Sequence, residues 1–394
     1  MRKKNWILGL SAVGMMAVLA ACGGNANAKA TTSATEAAKE GSTPAAKEEK
    51  AEDSKKSDGK KLKVTLLVTG SFGDKAFNDS AQAGMKKIQE ELSDKAEVTM
   101  VEMGNDKTKF EGAMQDASES DADLIITGLW DMKEITEKIA QEYPEKKYIL
   151  FDTAVDYTLG DLSNVYSMSY KQNEGAFLAG VLAAGVTKSS MPYANEDNII
   201  GFVGAKDTAA VINDSAVGYI QGAKFMDPEV KVLVSYVGSY VDSATAKDLA
   251  LTQYANNADT VFVAAGPASV GVIEAAAESK KYVIGVDSDQ AEAYAGKPEQ
   301  EFIISSAIKN VGESLYLSVE KAAADKLPFG EAEVLGLKDG VVGIAENDIY
   351  KKEVPEDVQK KVEDAKQDIL GGKVTVDTAY GMEESKLKSI ISGE

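Results

Sequence analysis

From Lys61 onward, short apolar runs rich in β-branched residues alternate with stretches of helical pattern. The first series contains KVTLLV, EVTMVEM, DLIITG, KYILFD and NVYSMSY, with helices predicted at about 79–92, 107–119 and 131–142. Helices that connect parallel strands cover both faces of a sheet, so this alternation is typical of a doubly wound parallel sheet. No other feature of the chain restricts the fold as much.

The same pattern then begins again. A predicted helix, Asn173–Val186, leads into NIIGFVG, KVLVSYVG, TVFVAAG, YVIGVD and FIISSAI. At 394 residues the chain is long enough for two domains, each with its own core. The sequence therefore predicts the α/β class with two Rossmann-like lobes. Near the C-terminus, Pro355 opens a further predicted helix, which Gly371 and Gly372 end.

The N-terminus has the three parts of a secretory signal: a basic start, an apolar run and small residues before a cysteine. A transmembrane anchor is the alternative, but the apolar run is short for a bilayer and no basic stop-transfer segment follows it. Leu19–Cys22, LAAC, resembles the lipobox of bacterial lipoproteins, in which the cysteine is diacylated and becomes the first mature residue. We expect a signal peptide over 1–21 and lipidation of Cys22, the only cysteine of the chain.

Residues 22–61 consist largely of Ala, Thr, Ser, Lys and Glu. Such a segment has too little apolar surface to order itself, so it predicts a hydrophilic tether between the lipid and the folded body. We therefore expect the protein on the extracytoplasmic face of the cell membrane, held there by its lipid alone. The near absence of arginine and the long tether favour a Gram-positive cell surface.

Charge and composition exclude several classes of function. Acidic residues outnumber basic ones by 63 to 43, which argues against a nucleic-acid partner. The chain has no histidine, and its one arginine, Arg2, lies in the predicted signal peptide. The commonest general base, the commonest zinc ligand and a guanidinium clamp for anions are thus missing. We expect no catalytic residue, no metal and no cofactor, and a ligand that is not strongly anionic.

Ligands of open α/β sheets bind beyond the carboxyl ends of the strands, so the loops that follow the strands are the candidate site. The first, TGSFGDKAFNDSA, lacks the Gly-Lys-Ser/Thr ending of a P-loop and the glycine spacing of a dinucleotide site. It offers Phe77 and Asn78 at a helix N-terminus, an aromatic ring beside an amide. The ring suits a flat, uncharged heterocycle. Alternatively, Phe77 is a core residue beneath the helix.

The later loops carry further candidates: Trp130 in TGLWD, Asp152 in FDTAVD, Tyr240 in VGSYVDS, Gly266 in AAGPASVG and Asp287 in GVDSDQ. Asp287 ends a predicted strand, where its carboxylate can accept two hydrogen bonds from vicinal hydroxyls; a helix N-cap is the alternative. Trp130 is the only tryptophan outside the predicted signal peptide, and its alternative role is a core residue.

Four stretches, in this order, resemble those of a known family: GDKAFNDSA, NEGAFLAGVLAA, the run from YVGSYVDS to GPASVGV, and VIGVDSDQ followed by Lys309. The family is the basic membrane protein family of bacterial substrate-binding lipoproteins, whose better-known members bind purine nucleosides for an ABC importer. The similarity extends from about Leu62 to the C-terminus and includes LGLKDGVVGIAEN.

This resemblance implies the type I periplasmic-binding fold, with two lobes joined by three hinge crossings. Lobe 1 would take 62–168 and 309–333, and lobe 2 would take 169–308 and 334–394. We expect a monomer whose partners are a small nucleoside-like molecule and an ABC transporter permease.

The resemblance also implies roles for single residues. In the family, the aromatic residue that matches Phe77 stacks on the purine base, the aspartate that matches Asp287 binds the ribose, and the lysine that matches Lys309 completes the sugar contact. An exposed, solvated side chain is the alternative for Lys309.

Two further residues complete the expected site. Asp152 would hydrogen-bond the edge of the base, and Tyr240 would form a second aromatic wall, with Phe262 as another candidate for that wall. Nucleoside-binding members usually carry an aspartate just after the first strand, where this chain has Val68 and Thr69. Because sites built on hydrogen bonds discriminate strongly, a free purine base or a flavin remains an alternative to the favoured purine nucleoside.

Two other classes of function compete with this interpretation. A metal-dependent hydrolase could use Asp287 and Asp289, although the chain offers neither histidine nor a nucleophile motif. A surface or regulatory lipoprotein without a transport role is the other.

Overall fold

Two six-stranded sheets organise residues 60–393, the part of the chain that the computed structural model describes. The β-branched and aromatic runs form the strands, because such side chains fit a half-buried pleated surface. The strands are β1 (Leu62–Val68), β2 (Ala96–Glu102), β3 (Leu124–Gly128), β4 (Lys147–Phe151), β5 (Val165–Tyr170), β6 (Ile199–Gly204), β7 (Lys231–Tyr236), β8 (Thr260–Ala264), β9 (Tyr282–Asp287), β10 (Ile303–Lys309), β11 (Ala332–Leu335) and β12 (Val342–Ile344).

Amphipathic or wholly apolar segments between the strands form the helices. They are α1 (Phe77–Glu91), α2 (Phe110–Glu119), α3 (Lys133–Glu142), α4 (Gln172–Thr187), α5 (Ala210–Met226), α6 (Ser243–Ala255), α7 (Ser269–Ser279), α8 (Gln290–Ala293), α9 (Val311–Ala323), α10 (Asp348–Glu353), α11 (Glu356–Leu370) and α12 (Glu384–Ser392). Single 3₁₀ turns precede α2 and α3, at Lys107–Lys109 and Trp130–Met132.

The two sheets repeat one strand order. Sheet 1 runs β11-β5-β4-β3-β1-β2, and sheet 2 runs β12-β10-β9-β8-β6-β7. In chain order, the first five strands of sheet 1, β1 to β5, therefore correspond one by one to β6 to β10 of sheet 2. We call sheet 1 with its helices lobe 1, and sheet 2 with its helices lobe 2. The predicted class, two doubly wound α/β lobes, is confirmed.

One strand departs from the expected parallel sheets, since β12 pairs with β10 in the antiparallel sense. The chain leaves β11 at the carboxyl end of sheet 1, which faces the other lobe. A chain that enters sheet 2 from that side has to run against β10. The three passages between the sheets follow β5, β10 and β11, and the predicted lobe boundaries at 168, 308 and 333 fall within these three strands.

Lobe 2 is built around α4, in which every residue from Asn173 to Thr187 is buried. A helix that is apolar on all sides is stable only when it is covered on all sides. Glycine allows its neighbour α5 to approach closely, because a Cβ on Gly180 would lie 2.1 Å from the carbonyl oxygen of Tyr219. In lobe 1, α1 and α9 approach in the same way, with Gly84 against the backbone of Gly312.

The predicted signal peptide, the lipidation at Cys22 and the predicted tether up to residue 59 lie outside the described residues. No helix among residues 60–393 combines the length and the apolar character that a bilayer span requires.

Candidate functional site

A buried lysine lies where the two lobes meet. Lys309 is the last residue of β10, and its Nζ lies 2.9 Å from Oδ1 of Asp152 in lobe 1 and 3.7 Å from Oδ1 of Asp287 in lobe 2. The side chains of the three residues are at most 11% exposed. The alternative of an exposed lysine is therefore wrong. Charges buried to this degree persist in folded proteins only when they are paired and hydrogen-bonded.

The two aspartates reach Lys309 through the same unusual backbone turn. Asp152 directly follows β4 and has φ 62°, while Asp287 ends β9 and has φ 68°. The left-handed region costs an ordinary residue about 1–2 kcal/mol, although Asp tolerates it better than most. Strained residues of this kind concentrate at functional sites. The N-cap of α8 is Asp289, whose side chain accepts from Ala291 N, so the N-cap alternative for Asp287 is wrong.

The cluster carries more negative than positive charge. Burial lowers the pKa of Lys309, but the carboxylates of Asp152 and Asp287 outweigh burial and raise that pKa above its ordinary value. Burial raises the pKa of Asp287, and the charge of Lys309 opposes this rise. One ammonium between two carboxylates leaves acceptor capacity for a ligand. The site thus favours a neutral molecule that donates hydrogen bonds over an anion.

Phe77 lies at the start of α1 beside this cluster. Its ring centroid is 4.9 Å from Lys309 Nζ, and the ring stacks on Phe151 with centroids 5.6 Å apart and planes inclined by 23°. The side chain is partly exposed and packs against the lobe 1 core. Phe77 thus has the packing role that the sequence left open, and it also lies beside the charged group of the site.

Asn78 is occupied largely by its own loop. Its Nδ2 donates to the carbonyl oxygens of Thr69 at 3.0 Å and Ser71 at 3.1 Å. Both amide hydrogens therefore hold the loop that follows β1, and only Oδ1 remains to accept a hydrogen bond from a ligand. The same loop is fixed by Asp74, whose carboxylate accepts from the backbone amides of Ala76 and Asn78 at 2.9 Å.

Tyr240 approaches the site from lobe 2. Burial raises its pKa, and the charges of Lys309, Asp152, Asp287 and Asp131 also act on its hydroxyl. The ring is partly buried against the lobe 2 core, with Lys206 Nζ 5.6 Å from its centroid.

Two residues of lobe 2 bear on the choice of Tyr240 as an aromatic wall. Gly266 has φ 56°, which favours glycine, and a Cβ there would make an ordinary contact with the Tyr240 ring at 3.5 Å. Phe262, the other candidate, is fully buried in the lobe 2 core. Phe262 is thereby excluded as a cleft wall in this structure.

Trp130 lies on the surface, with its side chain 72% exposed. It begins the 3₁₀ turn after β3, following Leu129 with φ 72°, and Lys133 Nζ lies 5.9 Å from its ring. The alternative of a core tryptophan is wrong. The next residue, Asp131, accepts from Lys107 Nζ at 2.7 Å, within lobe 1.

Sequence reasoning missed a contact that joins the lobes directly. The carbonyl oxygen of Lys75 in lobe 1 accepts from Ser288 Oγ at 2.9 Å and from Gln290 Nε2 at 2.8 Å in lobe 2. Lys75 Nζ also lies 4.4 Å from the ring centroid of Tyr294. Lys75 has φ 57°, as a tight turn requires. Lys75 lies in the motif GDKAFND, and Ser288 and Gln290 lie in VDSDQ. The position of both motifs after strands was the only sequence signal for this contact.

The carboxylate pair of the hydrolase hypothesis does not form a metal site. Oδ1 of Asp289 accepts from Ala291 N at 3.1 Å and from Asn347 Nδ2 at 2.8 Å, within lobe 2. Among residues 60–393, no group of three or more Cys, Asp or Glu side chains is arranged to hold a metal ion.

Residues 61–376 match the protein family described as PnrA-like ABC transporter substrate-binding proteins. Basic membrane protein A of Borreliella afzelii is 29% identical over 333 residues, which cover 84% of this chain and 95% of that protein. The ABC transporter nucleoside-binding protein BmpA of Lactococcus lactis subsp. cremoris is 30% identical over 336 residues, which cover 80% of this chain and 90% of that protein.

A solved structure supports the fold. The ABC transporter solute-binding protein from Aeropyrum pernix K1 superposes with a TM-score of 0.72 at 24% identity, covering 84% of this chain and 96% of that chain. Such a likeness at low identity shows a shared architecture of two lobes.

Proposed function

The chain belongs to the PnrA-like family of ABC transporter substrate-binding proteins, as its motifs predict, and we propose that it captures a purine nucleoside between its two lobes. The observation that carries the proposal is the buried Lys309 between Asp152 and Asp287. Vicinal ribose hydroxyls can donate to Asp287 and accept from Lys309, which satisfies polar groups that burial would otherwise penalise.

The base would stack on Phe77, and Asp152 would accept from its edge. Tyr240 would close the opposite side, beside Gly266. The surplus negative charge of the cluster supports a nucleoside over a nucleotide, because a phosphate would add charge without a partner. A relative from Lactococcus lactis is named as nucleoside-binding, which supports the same choice.

The division of the site between the lobes supports delivery of the ligand to an ABC importer. A ligand that contacts Asp152 on one lobe and Asp287 on the other binds best when the lobes are closed, so a permease can distinguish loaded from empty protein. We place the protein on the extracytoplasmic face of a Gram-positive cell membrane, as a monomer held by lipid at Cys22. Transport needs no chemistry, so the ligand should leave unaltered.

A free purine base or a flavin is the second candidate. The position after β1 where nucleoside-binding members usually carry an aspartate has Val68 and Thr69 instead, and the Thr69 carbonyl already accepts from Asn78. One acceptor for the base edge is thus absent, which changes the heterocycle that fits. A surface or regulatory lipoprotein would bind none of these molecules.

A melting-temperature screen over purine and pyrimidine nucleosides, nucleotides, free bases, flavins and sugars tests the proposal, because a ligand of the folded state raises its apparent stability. Purine nucleosides should give the largest shift, and the corresponding 5′-monophosphates should give little or none. The bound nucleoside, recovered after denaturation, should be unchanged. A screen in which flavins or free bases give the largest shift would select the second candidate, and a screen without shifts would reject the transport role.

A further inference from the structure

Two of the three passages between the lobes leave sheet 1 side by side. The first follows β5 and the third follows β11, and these parallel neighbours stay paired as far as Tyr170 and Leu335. The Lys171 amide, one residue further on, still donates to the Leu335 carbonyl at 2.8 Å. The first passage then continues into α4, and the third continues through Gly336 into the 3₁₀ turn Leu337–Asp339.

A buried carboxylate joins these two passages beyond the sheet. Glu174 lies in the first turn of α4, and its Oε2 accepts from the Leu337 amide at 2.8 Å. Its Oε1 lies 3.2 Å from Nζ of Lys171, on the first passage itself. A hydrogen bond from an amide to an ionised carboxylate is stronger than one between neutral groups, and burial makes its loss costly. Glu174 therefore ties the third passage to the first.

Glycine leaves room for this tie. The backbone of Gly336 is extended, so its conformation does not itself require glycine. A Cβ there would, however, lie only 2.5 Å from Oε2 of Glu174. At Gly175 a Cβ would lie 2.9 Å from the carbonyl oxygen of Gly343, in β12. The two small residues let the start of α4 lie directly against the third passage and the strand that follows it.

The third passage also contacts the second, which follows β10. The backbone amide of Asn310 donates to the Val341 carbonyl at 2.7 Å, and β10 pairs with β12. The residue before Asn310 is Lys309, whose Nζ lies between Asp152 and Asp287. The third passage is thus bonded to both others, and a displacement of it would reach the residue on which the site is built.

We propose that Glu174 is a positioning residue of the binding site, which makes the first and third passages move as one and so sets the closed arrangement of the lobes. This inference rests on the proposed function, since it concerns closure around a ligand. Glu174 acts through the hinge and not through contact with the ligand. Its loss should allow more relative orientations of the lobes, so the closed form becomes a smaller fraction. The apparent affinity then falls by one common factor for every ligand of the cleft.

Calorimetry of Glu174→Ala with inosine and hypoxanthine tests this. Both ligands should bind about 3- to 10-fold more weakly, the range expected for one lost hydrogen bond, and by the same factor. Glu174→Gln keeps an acceptor for the Leu337 amide and should restore most of the affinity.

Asp227→Ala is the matched control. Its carboxylate is also mostly buried and lies 3.0 Å from Nζ of the exposed Lys188, but it accepts from Asn198 and Glu229, so its contacts stay within lobe 2. The control should lower the melting temperature, as Glu174→Ala does, and leave both affinities unchanged. If the wild type binds inosine and Glu174→Ala likewise loses only stability, the inference is overturned and the proposed function stands.

A second pair of variants tests the contact itself. Gly336→Ala places a Cβ against the carboxylate and should weaken inosine binding as Glu174→Ala does. In the Glu174→Ala background that space is vacant, so the same substitution should have little further effect and the two losses should not add. Additive losses would show that the two residues act separately, which would overturn the inference.

X-ray scattering without ligand separates this inference from the proposed function. Glu174→Ala should have a larger radius of gyration than the wild type and than Asp227→Ala, whether or not a nucleoside binds. If the wild type binds no nucleoside but this difference is found, the proposed function fails and the hinge role of Glu174 stands. If the wild type binds no nucleoside and the scattering curves are the same, both fail.

Discussion

The two lobes share one plan and differ in the residues that end their strands. Asp152 and Asp287 follow or end the fourth strand of each sheet, and both have a positive φ. The fifth strands end in Tyr170 in lobe 1 and Lys309 in lobe 2. Lys309 Nζ lies 5.8 Å from the Tyr170 ring, so the two strand ends meet at the hinge.

This difference shows how a repeated fold produces one asymmetric site. The repeat places two carboxylates at equivalent turns, where they would repel each other across the cleft. One cation, present in only one of the two lobes, pairs with both. The fold thus determines where the side chains converge, while single residues at strand ends determine the chemistry.

Removing that cation should give the largest effect. Lys309→Met leaves Asp152 and Asp287 buried without a partner, and breaking a buried pair in this way costs about 3–5 kcal/mol. We expect a clearly lower melting temperature and loss of nucleoside binding by at least a factor of about 100. Lys360→Met, on the exposed face of α11, is the control and should change neither quantity. Binding that survives in Lys309→Met would show that the cluster is structural only.

Lobe 1 supplies the aromatic ring of Phe77 beside Lys309. Phe77→Ala should weaken the binding of nucleosides and of free bases alike by about 1–3 kcal/mol, the range for stacking of a base on an aromatic ring. Phe329→Ala is the control, because that ring lies in lobe 1 beside Lys147 Nζ at 4.9 Å and not beside Lys309. Calorimetry with inosine and hypoxanthine measures both ligands. A loss confined to the nucleoside would place Phe77 against the sugar.

The proposed sugar contact of Asp287, in lobe 2, should affect nucleosides but not free bases, unlike the contact of Phe77 in lobe 1. Asp287→Asn keeps the shape but replaces an ionised acceptor, so nucleoside affinity should fall about 10-fold while free-base affinity stays nearly constant. Asp289→Asn is matched in chemistry and lies two residues on, where it caps α8. It should lower the melting temperature slightly and leave the preference between nucleoside and base unchanged. Equal losses for both ligands in Asp287→Asn would contradict the ribose assignment.

The two lobes can also be compared at the amino ends of their strands, where Asp123 precedes β3 and Asp259 precedes β8. Burial raises the pKa of Asp259. At Asp123 burial acts in the same direction, but hydrogen bonds from Lys60 and from the Lys63 amide outweigh it and lower the pKa. Folded Asp259 thus binds its proton more tightly than the unfolded chain, and its contribution to stability falls as pH rises through its folded pKa. The contribution of Asp123 is present above its unfolded pKa and is lost as pH falls through its folded pKa.

Asparagine at the two positions should therefore change the pH dependence in opposite directions. Melting temperatures at pH 7 and at about pH 4, near the ordinary aspartate range, measure this. The difference in melting temperature between variant and wild type should be more favourable to Asp259→Asn at pH 7 than at the lower pH. For Asp123→Asn it should be less favourable at pH 7 than at the lower pH. Shifts of the same sign in both variants would refute the assignment. Because neither residue lies at the cleft, ligand affinity should stay constant.

The repeated α/β plan was visible in the sequence because strands such as KVTLLV and YVIGVD are long enough to show their composition. The edge strands β11 and β12, AEVL and VGI, are too short for any pattern, and the direction of β12 follows from where the chain enters sheet 2. Position after a strand indicated most of the site residues one by one, and only the family resemblance grouped Phe77, Asp152, Asp287 and Lys309 around one ligand. Nothing in the sequence shows that Lys309 reaches Asp152, 157 residues earlier, or that both aspartates have a positive φ.

The smallest expected effect concerns the contact that joins the lobes. Ser288→Ala removes one of the two hydrogen bonds to the Lys75 carbonyl, so the closed form should lose part of its stabilisation and the apparent affinity for inosine should fall by a factor of about two to five. Trp130, exposed and the only tryptophan among residues 60–393, should report closure by fluorescence, while the radius of gyration from X-ray scattering falls. Ser288→Ala should reach the same end values at a higher inosine concentration, because the variant changes the equilibrium and not the closed structure. Ser392→Ala, at the end of α12, is the control. Tight binding with an unchanged scattering curve would show a rigid, preformed cleft, and the two lobes would then act as one fixed surface.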